Sequence, residues 1–328
     1  MSENMATARA CANIAFIKYW GNTDDLLRLP VNGSLSMNLN GLYAETTVHW
    51  DATLCEDALI LNGKPAEDAA RQRVATHLNM MRERLGLTGF AAVESQNNFP
   101  MGAGIASSAA AFAALTVAAA QAGQLELSER ELTTLARLGS GSASRSVPTG
   151  FVEWYAGETH EESYAESFAP PEHWNLVDVI AVVSGEHKAV VSARGHQTAS
   201  TSDLQPARVR GAAERLTVCK NAILNRDFAA FAEVVEYDSN LMHAVMMTSR
   251  PPLFYWLPAT LTIMQAVRLW RTEGLSVCYT LDAGPNVHCL CLGDDAQAVE
   301  SRLQGLPGVE KVLVARAGHG AEVITPTS

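Results

Sequence analysis

The stretch from residue 101 to residue 120 carries no charge, and it limits what the chain can fold into more than any other segment. A helix that crosses a membrane needs about 20 predominantly apolar residues, so the length alone permits a membrane span. The composition argues against one, because the stretch is mostly Ala, Ser and Gly, with little Leu, Ile or Phe and with hydroxyl residues near its start. We therefore expect a helix over 109–120 that packs inside a globular protein.

The overall composition is that of a soluble globular protein. The 328 residues are 48% hydrophobic and 18% charged, a balance that supplies enough apolar surface for a packed core and excludes disorder as the main theme. The formal net charge is -11, and no segment concentrates basic residues. We therefore expect no nucleic-acid partner and no membrane partner.

Cysteine usage predicts a reducing compartment. The six cysteines are scattered and form no CxxC pair, and we expect reduced thiols in the cytoplasm because no signal peptide is recognisable. Cys289 and Cys291 share one face of a predicted strand, where we expect them to pack in the core. The nine histidines show no metal-ligand spacing, so no zinc or iron site is expected.

Alternating strand and helix patterns predict an α+β protein in two domains. Strand patterns occupy much of 12–48, and helical spacing of apolar residues follows over 67–85. Ser128 and Glu131 have capping-box spacing before a helix at 132–138. An apolar strand at 176–184 precedes Gly185, where we place the boundary between domains 1–184 and 185–328.

The most specific local motif is the loop 100–108. Glycines such as Gly102 and Gly104 let a backbone approach a ligand closely, and the start of the following helix offers free N–H groups. Ser107 and Ser108 add hydroxyls at the same place. The loop therefore predicts a phosphate site, although close helix packing is an alternative explanation. No lysine follows Gly104, so the Walker pattern is absent.

Three further features carry chemistry but stay ambiguous on spacing alone. The segment 139–146 combines Ser140 and Ser142 with Arg145, whose planar guanidinium suits a carboxylate or a phosphate, yet a flexible surface loop has the same composition. Asp282 follows a predicted strand and precedes Ala-Gly-Pro-Asn, which is equally typical of a turn. Lys18 stands beside two aromatic residues at a strand end.

Six motifs in a fixed order together resemble the mevalonate diphosphate decarboxylase family of the GHMP kinase superfamily. In chain order they are residues 12–21 (ANIAFIKYWG), 29–36 (LPVNGSLS), 97–100 (NNFP), 104–110 (GIASSAA), 139–145 (GSGSASR) and 279–286 (YTLDAGPN). The resemblance extends to a final glycine-rich turn at 317–320. It implies a GHMP kinase fold, with an N-terminal domain that contains a left-handed βαβ unit and a ferredoxin-like C-terminal domain.

The resemblance also implies the chemistry, in which ATP and Mg phosphorylate the 3-hydroxyl of a phosphorylated mevalonate and loss of phosphate and carbon dioxide leaves an isopentenyl product. Asp282 would orient or deprotonate that hydroxyl, Lys18 would keep the aspartate ionised, and Arg145 would hold the substrate carboxylate. The residues implied for substrate binding are Tyr19, Asn22, Arg73, Ser140, Ser142, Ser192 and Arg194. Those implied for the nucleotide are Asn98, Gly102, Gly104, Ala106, Ser107 and Ser108, the two serines also lying near Mg.

Departures from the family pattern concern the phosphate tail of the substrate. The family commonly reads Lys-Tyr-Trp-Gly-Lys, whereas this chain has Asn22 after Gly21, and His196 stands where the family has Met. A lost cation disfavours a tail of about three negative charges more than one of about two. We therefore expect mevalonate 5-phosphate as substrate and isopentenyl phosphate as product, with the 5-diphosphate as the alternative.

Two other functions stay open on the sequence. A mevalonate 3-kinase would stop at the phosphorylated intermediate, and a non-catalytic nucleotide-binding protein would keep only the fold. The presence of Lys18, Arg145 and Asp282 argues against both. Family members are commonly homodimers, so we expect a homodimer here.

Overall fold

The computed structural model describes residues 4–99, 107–184 and 192–325, with the side chains of 192–194 excepted. The predicted phosphate loop up to Ala106 and Gly185 therefore lie outside the described residues. The strands are β1 (Met5–Ile17), β2 (Asn22–Asp24), β3 (Leu29–Pro30), β4 (Ser34–Asp51), β5 (Ala58–Leu61), β6 (Lys64–Pro65), β7 (Phe90–Asn97), β8 (Phe151–Trp154), β9 (Ala165–Ala169), β10 (Leu176–Val182), β11 (Val277–Thr280), β12 (Val287–Leu292), β13 (Lys311–Arg316) and β14 (Glu322–Ile324). The helices are α1 (Asp68–Leu85), α2 (Ser107–Ala122), α3 (Glu129–Gly139), α4 (Ser192–Thr198), α5 (Gln205–Arg210), α6 (Ala212–Asn225), α7 (Phe228–Thr248), α8 (Pro258–Thr272) and α9 (Ala296–Gln304).

Two large sheets organise the described part of the chain, and β2 and β3 form a separate two-stranded sheet. The first has eight strands, with β14, β1, β4, β7, β5 and β6 as its main order and with β8 and β9 attached to β4. The second has four strands in the order β11, β12, β10, β13, each antiparallel to its neighbour. This is the two-domain α+β architecture that the sequence predicts.

Burial along β4 shows how the first sheet is covered. Residues 34–39 are all buried, whereas residues 42–51 alternate between buried and partly exposed. Side chains of a strand point alternately to the two faces of its sheet, so the first half is covered on both faces and the second half on one. On the exposed face, Arg9 of β1 pairs with Glu45 of β4.

Helix α2 is the uncharged segment that the sequence predicts to pack inside the protein. It lies against β1 and β4, and its alanines let the backbone come close to the sheet. Trp50 Nε1 donates a hydrogen bond to the carbonyl of Ala119 at 3.0 Å. In residues 4–99, 107–184 and 192–325, no helix combines the length and apolar character needed to span a membrane.

The predicted capping box and the packed cysteines are confirmed. Ser128 accepts from the backbone N–H of Glu131, and the Glu131 carboxylate accepts from the backbone N–H of Ser128 at 2.8 Å. Cys289 and Cys291 are buried in the core of the second sheet.

The chain leaves the first sheet, forms the second and then returns to the first. The strand β10 belongs to the second sheet, while the last strand, β14, returns to pair with β1 of the first. Helix α7 packs against both β11 and β1, so it bridges the sheets. The boundary between residues 184 and 185 stays a prediction.

Candidate active site

The ends of two strands from different sheets meet at an ion pair. Lys18 follows β1, Asp282 lies just beyond β11, and Lys18 Nζ donates to Asp282 Oδ1 at 2.7 Å. The Lys18 side chain is 1% exposed, whereas that of Asp282 is 24% exposed. The lysine is therefore closed off within the protein, and the carboxylate remains accessible to a ligand.

The surroundings of this pair keep the carboxyl group ionised. Burial alone would raise the pKa of Asp282, but the positive charge and hydrogen bond of Lys18, together with His288 and Arg145, outweigh it, and the pKa lies below its ordinary value. Burial lowers the pKa of Lys18, an effect that Asp282 opposes. Asp282 is thus a carboxylate held in a fixed position by a buried cation.

Arg145 is fixed next to this pair by the segment that the sequence leaves ambiguous. Residues 141–146 form a 3-10 helix rather than a flexible surface loop, and Arg145 is 3% exposed. Its Nη1 donates to Ser34 Oγ at 2.7 Å and its Nη2 to Asn13 Oδ1 at 3.2 Å. Burial lowers its pKa to about 10, which Asp282 opposes. The guanidinium therefore stays charged at neutral pH.

One atom of Arg145 is left without a partner. Its Nε is buried and has no hydrogen-bond acceptor among the described residues. A buried donor without an acceptor is costly, and a ligand bound beside Arg145 would remove that cost. An anion is the expected ligand, because a guanidinium offers only donors.

A scaffold of buried charges, which the sequence reasoning missed, holds the backbone of Lys18. Asp238 on α7 accepts from the backbone N–H of Lys18 at 2.7 Å and from Arg215 Nε at 2.7 Å. Arg208 on α5 donates to the carbonyl of Lys18 at 2.6 Å, and Asn32 donates to the same carbonyl at 3.0 Å. Helices α5, α6 and α7 thus position the end of β1.

A sequence signal for this scaffold exists at Asp238. The residue follows Val234 and Val235 at helical spacing and precedes Met242, and these three side chains are buried. A charged residue on the apolar face of a helix must find a partner in the core. Reading α7 for interruptions of its apolar face would therefore have singled out Asp238.

Aromatic rings form a wall beside the ion pair. Tyr19 stacks on His196 with ring centroids 4.1 Å apart and meets Trp154 edge-on at 4.7 Å. The backbone N–H of Gly21 donates to His196 Nδ1 at 3.0 Å. Burial lowers the pKa of His196 to about 3, and nearby arginines add to this, so the imidazole is neutral at neutral pH.

Asn22, the departure from the family pattern, faces this wall. The Tyr19 hydroxyl donates to Asn22 Oδ1 at 2.5 Å, and Asn22 Nδ2 donates to Asp25 Oδ1 at 2.8 Å. The position therefore carries a neutral amide whose oxygen and nitrogen are both hydrogen-bonded within the protein.

Serine hydroxyls connect the start of α2 with the 3-10 helix. Ser108 Oγ lies 3.2 Å from Ser140 Oγ, which lies 3.4 Å from Ser142 Oγ. Ser107, the first residue of α2, is partly buried. The structure thus brings together four of the predicted serines, whereas Gly102, Gly104 and Ala106 lie outside the described residues.

The other predicted residues are placed less centrally. Arg73 on α1 is exposed, and its Nη2 lies 3.4 Å from the carbonyl of Gly139. Asn98 fastens the end of β7 to the middle of β4, because its Oδ1 accepts from the backbone N–H of Tyr43 and its Nδ2 donates to the carbonyl of Gly41. Ser192 and Arg194 lie on α4, and their side chains are outside the described part of the structure.

Comparisons with known proteins agree along the chain. Residues 10–165 match the family model of the diphosphomevalonate decarboxylase-like N-terminal domain, and residues 178–319 match that of the mevalonate 5-diphosphate decarboxylase C-terminal domain. Diphosphomevalonate decarboxylase mvd1 of Aspergillus fumigatus is 41% identical over 92% of this chain and 80% of its own length. The rat diphosphomevalonate decarboxylase (Rattus norvegicus) is 38% identical over 88% of this chain and 77% of its own.

Solved structures give the same result. The mevalonate diphosphate decarboxylase of Enterococcus faecalis aligns with a TM-score of 0.91 at 37% identity, over 98% of this chain and 99% of that one. That of Staphylococcus aureus gives a TM-score of 0.92 at 34% identity, over 98% of both chains. A complex described as MDDEF with MVAPP, AMPPCP and magnesium gives a TM-score of 0.93 at 38% identity, over 98% of this chain and 99% of that one.

Fold and comparisons together define the class of this protein as a two-domain α+β enzyme of the GHMP kinase type. Within that class, the chain belongs to the diphosphomevalonate decarboxylase family and is an ATP-dependent decarboxylase.

Proposed function

We propose that this enzyme decarboxylates mevalonate 5-diphosphate, releasing isopentenyl diphosphate, carbon dioxide, ADP and phosphate as a step of isoprenoid biosynthesis. The observation that carries the proposal is the ion pair of Lys18 with the accessible carboxylate of Asp282, with Arg145 close enough to act electrostatically on both. The relatives support the diphosphate, because the Aspergillus fumigatus, rat, Enterococcus faecalis and Staphylococcus aureus proteins carry it in their names. The sequence-based expectation of the monophosphate has no such support.

Asp282 is the residue that receives the 3-hydroxyl. Its carboxylate accepts the hydrogen bond of that hydroxyl, orients the oxygen for attack, and takes its proton as the new bond to phosphorus forms. Because Lys18 lowers the pKa of Asp282, the carboxylate is a weak base in the resting enzyme. Its contribution is therefore mainly orientation, with proton transfer late in the step.

Arg145 is the residue that holds the substrate carboxylate. Its Nε is the unpartnered donor, while Ser34 and Asn13 fix the other two nitrogens and thereby the plane of the guanidinium. Departure of the tertiary phosphate builds positive charge on the carbon that carried it, and the electrons of the breaking carbon–carbon bond neutralise that charge. A carboxylate held in line is ready for this loss of carbon dioxide.

The residues at the start of α2 fit a nucleotide triphosphate. The first turn of the helix holds no acidic residue that would repel an anion, and Ser107 and Ser108 offer hydroxyls there. ATP bound with magnesium would supply the phosphoryl group and neutralise its charge. No cluster of His, Cys, Asp or Glu able to hold a metal exists in the described ranges, so we assign Mg to the phosphates and the serine hydroxyls.

A second candidate substrate is mevalonate 5-phosphate, which one specific observation favours. Position 22 carries an amide with both its polar atoms hydrogen-bonded, and the neighbouring imidazole of His196 is neutral, so neither residue brings a positive charge to the wall of the site. A substrate tail with less charge needs fewer cations. A 3-kinase without decarboxylation is the third candidate, which the buried Arg145 disfavours.

Parallel product measurements test these candidates. Purified enzyme with ATP and Mg is given either phosphorylated mevalonate, and ADP and carbon dioxide are followed together. Equal amounts of both products, with a higher kcat/KM on the diphosphate, are expected. A hundredfold preference for the monophosphate would make the second candidate correct, and ADP without carbon dioxide would leave only the 3-kinase.

The setting in the cell and the assembly state complete the proposal. We assign the enzyme to the cytoplasm, which the scattered cysteines support, and to a homodimer, which the family resemblance supports. Light scattering on the purified protein tests the homodimer, for which a mass of twice 35.2 kDa is expected.

A further inference from the structure

A cation that the sequence motifs do not include stands on the same hairpin as Asn22. Arg28 directly precedes β3, whose residues pair with those of β2. Its backbone has φ of 51°, a left-handed conformation that is uncommon for a residue with a side chain. Its Nε donates to the carbonyl of Leu138 at 2.8 Å, so the side chain is directed toward the end of α3.

The guanidinium of Arg28 has unused donors. Within the described ranges its two Nη atoms make no hydrogen bond and it forms no salt bridge, and the side chain is partly exposed. A guanidinium fixed by one nitrogen, with its remaining donors available, is prepared to bind an oxyanion. The carbonyl of Leu138 thus anchors the group without neutralising its charge.

Arg28 and Arg73 line one cavity of about 420 Å³ between α1, the end of α3 and the β2–β3 hairpin. Gly139 lines it as well and is followed directly by Ser140. Among the described residues the one carboxylate on the wall is that of Asp25, which accepts a hydrogen bond from Asn22. In the same part of the chain neither arginine pairs with a carboxylate, which makes this cavity suited to a phosphate group.

The chain leads from this cavity to the aromatic wall, because Gly139 lines the cavity and Gly141, two residues further on, contacts Tyr19. Gly141 lies so close to Tyr19 that an added Cβ would be 2.5 Å from its ring. Among charged groups, Arg28 has the largest effect on the pKa of Tyr19 and on that of His196, and it lowers both. These are the residues that border the position of the missing lysine.

We propose that Arg28 binds the 5-diphosphate tail of the substrate and supplies the positive charge that the family obtains from a lysine at position 22. This inference rests on the proposed function, because it concerns the same substrate. It explains how a chain with Asn22 keeps a cation on this hairpin.

The test compares Arg28→Gln with a matched control. Arg226 also has a positive φ, of 56°, and its Nε also donates to a carbonyl, that of His173 at 2.7 Å, so Arg226→Gln reproduces the backbone and the lost hydrogen bond. We expect Arg28→Gln to raise the Kd and the KM for mevalonate 5-diphosphate by about 10-fold or more, which is the usual effect of one lost charge-assisted contact. The KM for ATP should stay within about threefold.

Two more variants make the result specific to charge. Arg28→Lys keeps a cation without the planar fork and should recover part of the affinity. Adding Asn22→Lys to Arg28→Gln should restore affinity from the neighbouring position, which a merely structural role of Arg28 would not allow.

The outcomes separate this inference from the function it rests on. Equal Kd values for Arg28→Gln and Arg226→Gln would overturn the inference, as would an effect confined to the KM for ATP. If Arg28→Gln does not fold, the Kd values of Asn22→Lys and Arg28→Lys for the substrate decide instead. Kd values equal to that of the unaltered enzyme in both variants would overturn the inference. Absence of carbon dioxide with the unaltered enzyme would instead refute the proposed function, while the Kd measurements would still report on Arg28.

Discussion

Lys18 and Asp282 lie 264 positions apart in the chain and meet at 2.7 Å, at the ends of strands that belong to different sheets. The lysine is buried and the carboxylate faces the accessible side. The distance between Lys18 and Asp282 therefore depends on how the two sheets are held against each other. A change in the packing of the sheets would alter the ion pair as well as the stability of the fold.

Replacing Asp282 should abolish most of the activity. Asp282→Asn keeps the size of the side chain but removes the charge and the proton acceptor, and we expect kcat to fall by about 10²- to 10⁴-fold. Release of ADP and carbon dioxide measures the loss. Asp203→Asn is the matched control, because Asp203 is exposed and pairs with Arg250 at the surface. A kcat within threefold of the unaltered enzyme would exclude Asp282 from the reaction.

Removing Lys18 should shift the pH profile. The pKa of Asp282 lies below its ordinary value because Lys18 outweighs burial, so Lys18→Met should raise that pKa. The carboxylate must be ionised to accept the hydroxyl proton, so the acid limb of kcat/KM should move to higher pH.

The lysine experiment needs a control for lost surface charge. Lys220→Met removes a partly exposed lysine that pairs with Glu153 rather than with Asp282, and it should leave the acid limb in place. Using one substrate for all variants removes the contribution of its own phosphate ionisation. An unchanged acid limb in Lys18→Met would show that Lys18 does not set the ionisation of Asp282.

The charged scaffold should couple stability to activity. Asp238→Asn turns one acceptor into a donor between the Lys18 backbone and Arg215, and leaves a buried cation without its anion. We expect the free energy of unfolding to fall by about 3 kcal/mol and kcat to fall with it, since Lys18 is displaced. Denaturant unfolding and product release measure the two effects.

An exposed residue of the same helix provides the comparison. Glu233 lies on α7 but faces solvent, so Glu233→Gln should change the free energy of unfolding by less than about 0.5 kcal/mol. Asp238→Asn with full stability and full kcat would mean that the end of β1 holds its position without this carboxylate.

The sequence carries the local features of this molecule better than the long-range ones. The helix α1, the capping box of α3 and the buried α2 each follow from spacing and composition within one segment. The Lys18–Asp282 ion pair cannot be predicted from one segment, because the residues around Asp282 are equally typical of a turn. Only the ordered resemblance to a family singles out its chemistry.

What local reasoning missed lies where distant segments meet. Segment 139–146 has the composition of a flexible loop, yet its Arg145 is almost fully buried because Asn13 and Ser34, from two strands, accept its hydrogen bonds. Arg208 and Asp238 look like ordinary helix charges until the end of β1 is placed between them. Burial of a charge depends on its partner, and the partner is remote in sequence.

A small substitution should disturb the aromatic wall without touching a charge. An added Cβ at Gly141 would lie 2.5 Å from Tyr19 Cε1, closer than packing allows, so Gly141→Ala must displace the ring or the 3-10 helix. We expect a loss of about 1–3 kcal/mol in the free energy of unfolding and a higher KM for mevalonate 5-diphosphate, because the site that we propose for its phosphate tail lies beside Tyr19. Gly305→Ala is the control, since its nearest neighbour would be 3.5 Å away, an ordinary contact. Unfolding curves and initial rates for the two variants decide the matter, and identical behaviour would show that the wall accommodates the extra methyl group.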